Sequence, residues 1–262
     1  MIARTCMLSA VAALGTATLA FGTAAFAQQQ PPPPAGTVEI FTCDYNNGRD
    51  MDDLMAAARR FNTWADQNAA NDYTALTATP WAFSDQVDFD VGWIGAWPNG
   101  TAMGMGETKW LATGAQVQAA FDNVVECSSH TLYAAIPIRT PQAGEGPPPE
   151  DGALLFSNCT LINSSTAGEA IAAQRRWVEY MAERGDVGFD AILFPLAGET
   201  PDAEFTYKAV HAFPSVEQMG KSIDLYTTGG VQRRNQILGR VVDCDSPRVY
   251  LTHRVRQGQG PQ

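Results

Sequence analysis

VVECSSHTLY occupies residues 124–133, and VVDCDSPRVY occupies residues 241–250. Two valines, an acid, a cysteine, a serine and a tyrosine recur in the same order. Sliding the chain along itself by 116 positions extends the match backwards: Cys43 lands on Cys159, ARRFNTW from Ala58 on QRRWVEY from Gln174, and YTALTATP from Tyr73 on FDAILFPL from Phe189. Trp97-Pro98 lands on Phe213-Pro214, Met103-Gly104 on Met219-Gly220, and Gly114 on Gly230; after one inserted residue the two decapeptides align at a shift of 117. So long a register predicts tandem duplication of a unit of about 105 residues, rather than chance likeness of two stretches rich in small residues.

The periods within each unit alternate. VEIFTCDY is rich in β-branched and aromatic residues and predicts a strand. Residues 51–68 have helical spacing, with Leu54, Ala57, Ala58, Phe61 and Trp64 on one stripe, Asp50 as N-cap and Asp53 at the third position. YTALTATPWAF and DFDVGWIGAW predict strands. Asn99 suits the cap of a short helix, Gly114 leads into a second helix ending near Val125, and SHTLYAAIPIR is the last strand. The second unit runs ALLFSNCTL, a helix over 168–184, FDAILFPL, EFTYKAVHAF, a helix from Ser215 and RVYLTHRVR.

That order, β-α-β-β-α-β, is the ferredoxin-like unit. Its first and last strands are antiparallel neighbours. Cys43 ends one and Cys127 begins the other, and Cys159 and Cys244 stand likewise. Facing residues of such a pair come within disulfide reach. The expected bridges are therefore Cys43–Cys127 and Cys159–Cys244, one per unit. The rival reading, a redox or metal-binding cysteine set, meets no C-x-x-C and no zinc spacing.

Residues 1–27 read as a secretory signal: Arg4 is basic, Met7–Ala20 is apolar or small, and Ala25-Phe26-Ala27 is an A-x-A cleavage site. The apolar run is short for a transmembrane anchor. The expected organisation is signal peptide 1–27, proline-rich lead-in 28–35, first unit 36–139, linker 140–152, second unit 153–257 and tail 258–262. Cysteine parity after cleavage fits an oxidising compartment, periplasmic or extracellular. Removing the signal leaves 16 basic against 28 acidic residues. Without clustered Lys/Arg, nucleic acid is not an expected partner, nor is a membrane after cleavage.

The duplicated ferredoxin-like pattern resembles the dimeric α+β barrel superfamily in its single-chain form. The resemblance spans nearly the whole mature chain and rests on topology and duplication. It implies two four-stranded sheets facing each other with helices outside. Members include cofactor-free monooxygenases, NIPSNAP and EthD-like families, chlorite dismutases and dye-decolorising peroxidases. The G-x-x-D-G signature of the peroxidases is absent, the three histidines show neither H-x-H nor H-E-x-x-H spacing, and neither metal nor other cofactor is expected.

The third strands carry the candidate site. Alternation places Phe89, Val91, Trp93, Gly95 and Trp97 on one face, matched by Phe205, Tyr207, Ala209, His211 and Phe213. If those faces point between the sheets, Trp93, Trp97, Tyr207, His211 and Phe213 line a pocket for a small apolar or aromatic molecule. The competing reading has the rings packing between sheet and helices. His211 aligns with Gly95, which suggests a catalytic base, a haem ligand or a hydrogen-bonded structural residue. His130 aligns with Pro247 and reads as exposed or structural. Lys208 either snorkels or pairs with an acidic ligand. Three functions fit: an exported binder of an apolar or aromatic molecule in an inter-sheet pocket, a cofactor-independent monooxygenase or isomerase with His211 as base, or a homo-oligomerising interaction module.

Overall fold

The structure is a computed structural model that describes residues 35–68, 70–85, 87–140 and 150–258. The expected signal peptide and most of the lead-in, linker and tail lie outside the described residues.

The first half runs β1 (Gly36–Tyr45), α1 (Met51–Gln67), β2 (Thr74–Ala82), β3 (Val91–Trp97), α2 (Gly100–Thr113), α3 (Ala115–Asp122) and β4 (Val125–Arg139). The second half runs β5 (Asp151–Leu161), α4 (Ala167–Ala182), β6 (Phe189–Ala197), β7 (Tyr207–Phe213), α5 (Val216–Leu225), a π turn (Tyr226–Gly230), α6 (Val231–Leu238), β8 (Val242–Cys244) and β9 (Arg248–Arg256). Local chemistry sets the helix starts. Asp50 accepts hydrogen bonds from the backbone of Asp52 and Asp53, Asn99 from that of Ala102, and Thr166 forms a capping box with Glu169.

Strand order is β7-β6-β4-β1-β3-β2-β9-β5, and β5 pairs back onto β7 to close an eight-stranded antiparallel barrel. Within it β4-β1-β3-β2 come from the first half and β9-β5-β7-β6 from the second, joined at the β2–β9 and β4–β6 seams. The second half departs from the first at one point. β4 is continuous, whereas β8 and β9 are separate strands on β5. Pro247 lies in the gap, and proline has no N–H to donate to a ladder.

Both disulfides form as the order of strands predicts. Cys43 faces Cys127 across β1–β4, and Cys159 faces Cys244 across β5–β8.

The aromatic stripe, however, points the other way from an inter-sheet pocket. The barrel interior is lined by inward-facing residues such as Ala78, Tyr133, Leu154, Leu193, Val210 and Tyr250. Trp93 and Trp97 pack instead against α1, with Phe61 and Trp64, and Tyr207 packs under α4 and α6. An eight-stranded barrel is narrow, with room inside for its own side chains or one small ligand. The wedge between sheet and helices takes the indoles. β3 and β7 begin at Val91 and Tyr207, so the alternation does not reach back to Phe89, which belongs to the interior.

Candidate functional site

Gly95 lies at the centre of the first-half sheet, opposite Glu39 on β1 and Ala75 on β2. Having no side chain, it leaves room for the ring of Tyr73 to lie across the strand. The Tyr73 hydroxyl then donates to Oε1 of Glu39 at 2.6 Å and accepts from the indole N–H of Trp93 at 2.9 Å. The other carboxylate oxygen of Glu39 is 3.1 Å from Nε2 of His130. Phe41 faces both Trp93 and His130 across the ladders, and its ring stacks on the imidazole at 3.8 Å.

Glu39 is only 5% exposed, whereas the His130 side chain is 44% exposed. A buried carboxylate is therefore linked to solvent through one imidazole. Burial, reinforced by the charge of Glu39, pushes the Tyr73 phenol well above its usual range, so the hydroxyl stays a donor. Glu107 on α2 reaches the same space. Its carboxyl is raised by burial first and by the negative charge of Glu39 second, with His130 acting in the opposite sense.

These groups edge a cavity of about 150 Å³ between the sheet and α1–α3. Its walls include Phe61, Trp64, Trp93, Trp97, Trp110 and Phe121. Gly106 lets α2 settle onto Trp97, since a β-carbon there would meet the indole at 2.0 Å. An apolar cavity of about this volume accommodates a benzene ring. The arrangement thus offers an aromatic box with a hydrogen-bond acceptor at one side, and its two carboxylates disfavour anions.

The sequence-predicted residues divide among three places. Trp93 and Trp97 line this first-half cavity. His211 and Phe213, stacked at 3.8 Å, line a separate cavity of about 530 Å³ in the second half, beside Trp177 and Tyr226. Tyr207 is fully buried in the core. They do not form one pocket, because the pocket-lining faces lie outside the barrel, under different helices.

His211 is held in an ionic network. Its Nδ1 is 3.3 Å from Asp190, and its Nε2 is 3.7 Å from Asp186, 3.4 Å from an Arg139 nitrogen and 3.3 Å from the Val187 carbonyl. Arg139 pairs with both aspartates at 2.8 Å. Burial raises the Asp190 carboxyl, with His211 and Arg139 pulling it down. This cluster ties β4, β6 and β7 to the turn after α4. It leaves neither imidazole nitrogen free as an axial ligand for haem iron. His130 is engaged with Glu39 through Nε2, and His253 with Asp151 through Nδ1.

Glu39, Tyr73 and Glu107 were not legible as site residues from their own neighbourhoods, and His130 read as incidental. One signal was available. At the repeat offset Glu39, Tyr73, Trp93 and His130 align with Leu155, Phe189, Ala209 and Pro247. The four positions that interact in the first half carry no polar side chain at the aligned positions of the second.

No family model and no curated protein matches this chain. Among solved structures, a dye-decolorizing peroxidase from Bacteroides thetaiotaomicron aligns with a TM-score of 0.54 at 9% identity, covering 86% of this chain and 94% of that one. A Fusobacterium nucleatum protein assigned as a monooxygenase aligns at 0.53 and 6% identity, covering 87% and 97%. A protein assigned as a chlorite dismutase aligns at 0.50 and 10% identity, covering 84% and 95%. At such identities the likeness is one of fold: an antiparallel eight-stranded α+β barrel.

Proposed function

We propose that this chain is an exported protein, descended from duplication of one βαββαβ unit, that binds a neutral or cationic single-ring aromatic molecule in the first-half cavity. The observation that carries this reading is the buried Glu39–Tyr73–Trp93 chain at the edge of an aromatic box. The box supplies contact area, and the carboxylate selects a ring bearing a hydrogen-bond donor, such as a phenol or an arylamine. Two disulfides support the exported location, and no helix among the described residues is long and apolar enough to cross a membrane. Tryptophan-fluorescence titration with phenol, aniline, benzylamine and benzoate tests the reading. Saturable quenching by the first three, with benzoate much weaker, is expected. Equal binding of benzoate, or saturation by none of them, sinks it.

A second reading, proton-transfer catalysis, is favoured by the link from Glu39 through His130 to solvent. A general base needs both contact with its substrate and a route for the proton. His211, the base that the sequence suggested, lies in the other half's cavity, apart from Trp93 and Trp97. The base in this reading is Glu39, with His130 as relay. Deuterium exchange at an activated C–H of a bound phenol, followed by NMR, should slow at least tenfold in Glu39→Gln. An unchanged exchange rate removes Glu39 from the role.

A further inference from the structure

The barrel interior contains a third cavity, of about 380 Å³, independent of the aromatic box. Its walls include Ile40, Ile94, Phe156 and Tyr250. Lys208 projects into it from β7, on the face opposite His211. At the repeat offset Lys208 aligns with Gly92, which also lines the cavity, so the amine stands on one wall only. Its Nζ donates to Oδ1 of Asn158 at 3.2 Å, lies 3.5 Å from Oε1 of Glu199 and sits 4.0 Å from the Phe205 ring. The hydroxyl of Tyr133 donates to the same Glu199 oxygen. Amine, carboxylate and phenol therefore converge in a cavity walled by apolar residues together with Thr42, Ser129, Thr131, Thr200 and Arg248.

We propose that Lys208 captures small aliphatic aldehydes as a Schiff base inside the barrel. A lysine becomes nucleophilic when desolvation favours its neutral form. Burial lowers the Lys208 ammonium, Glu199 opposes this, and the charge of Arg248 acts with burial. Glu199 accepts a proton from the ammonium. The amine lone pair forms the N–C bond while the carbonyl π pair moves to oxygen, which takes the proton released from nitrogen. Glu199 returns its proton to the resulting hydroxyl, the C–O bond breaks, and water leaves as the C=N bond forms. One water is released per adduct, and no electrons are transferred to or from an outside agent, while Tyr133 holds Glu199 in place.

The chain has three lysines, Lys109, Lys208 and Lys221, which makes the test direct. Lys221 is an exposed helix residue paired with Glu217 and serves as the internal control. The disulfide-intact protein is incubated with butanal and cyanoborohydride at neutral pH, so that any imine is trapped as a secondary amine, and the butylated peptides are quantified over time. Lys208 should be butylated about tenfold faster than Lys221, despite being less exposed. Butylation of Lys208 at the rate of Lys221, or more slowly, overturns the proposal.

Discussion

A β-carbon on Gly95 would lie 2.0 Å from the hydroxyl oxygen of Tyr73 and 2.5 Å from its ring. The contact is with a ring 3% exposed whose hydroxyl is held between Glu39 and Trp93. Gly95→Ala therefore has to displace Tyr73 and break its bond to Glu39. Overpacking of this kind costs about 1–3 kcal/mol. Urea unfolding should show that loss, and phenol quenching of the tryptophans should weaken in parallel. Retained binding with unchanged stability would mean that Tyr73 does not organise the cavity.

Glu107 gives the first-half cavity a pH signature. Its folded-state carboxyl is raised above the ordinary 4.5, so over the window from 4.5 up to the folded value the native protein holds a proton that the unfolded chain has released. The unfolded state then binds fewer protons, and stability falls as pH rises through that window. Glu107→Gln removes this loss. The stability of the variant relative to the parent should grow above about pH 4.5 and level off once the parent carboxyl is ionised. Parallel stability curves for the two proteins would contradict it. Glu39→Gln should lower the Glu107 pKa, observable by carboxyl NMR, because one of the charges that raise it is gone.

The fold was legible because strand pairing leaves long-range marks. Two cysteines at opposite ends of neighbouring strands report register, and the alternation of strand and helix periods reports the α+β class. The direction of the β3 face was not legible. Alternation separates two faces but does not say which one meets the helices, and Trp93 and Trp97 fit a barrel interior equally well on pattern alone. The decisive quantity is the volume available on each side, which depends on barrel closure. Glu39 escaped notice because a single acid within VEIFTCDY looks like the solvent face of an edge strand. Only the closure of Tyr73 over Gly95 buries it.

The two disulfides should differ in consequence, although their loops are nearly equal at sequence separations of 84 and 85. Each contributes at most about 4–5 kcal/mol in the chain-entropy model. Replacing Cys159 and Cys244 by alanine should lower stability by up to that amount and leave the first-half cavity unchanged. Cys43 and Cys127 both line the first-half cavity. Their replacement by alanine should lower stability comparably and also alter phenol binding. Non-reducing peptide mapping that found Cys43 joined to Cys159 would refute the pairing itself.

Arg139 neutralises two aspartates that are both nearly inaccessible, with side-chain exposures of 2% for Asp186 and 9% for Asp190. Arg139→Ala leaves those carboxylates facing each other with His211 as the remaining cationic candidate. Breaking a buried pair by removing one partner costs about 3–5 kcal/mol. The cost should depend on pH in a definite direction. Arg139 pulls the Asp190 carboxyl down, so its removal raises the folded-state pKa further above the unfolded one. A carboxyl whose folded-state pKa is raised costs stability that grows as pH rises above the unfolded value, so wild type and variant differ more at higher pH. Urea unfolding at pH 7.5 and pH 4.5 should therefore show a penalty that shrinks on acidification. A penalty below about 1 kcal/mol at neutral pH would show that the aspartates are solvated well enough to need no partner.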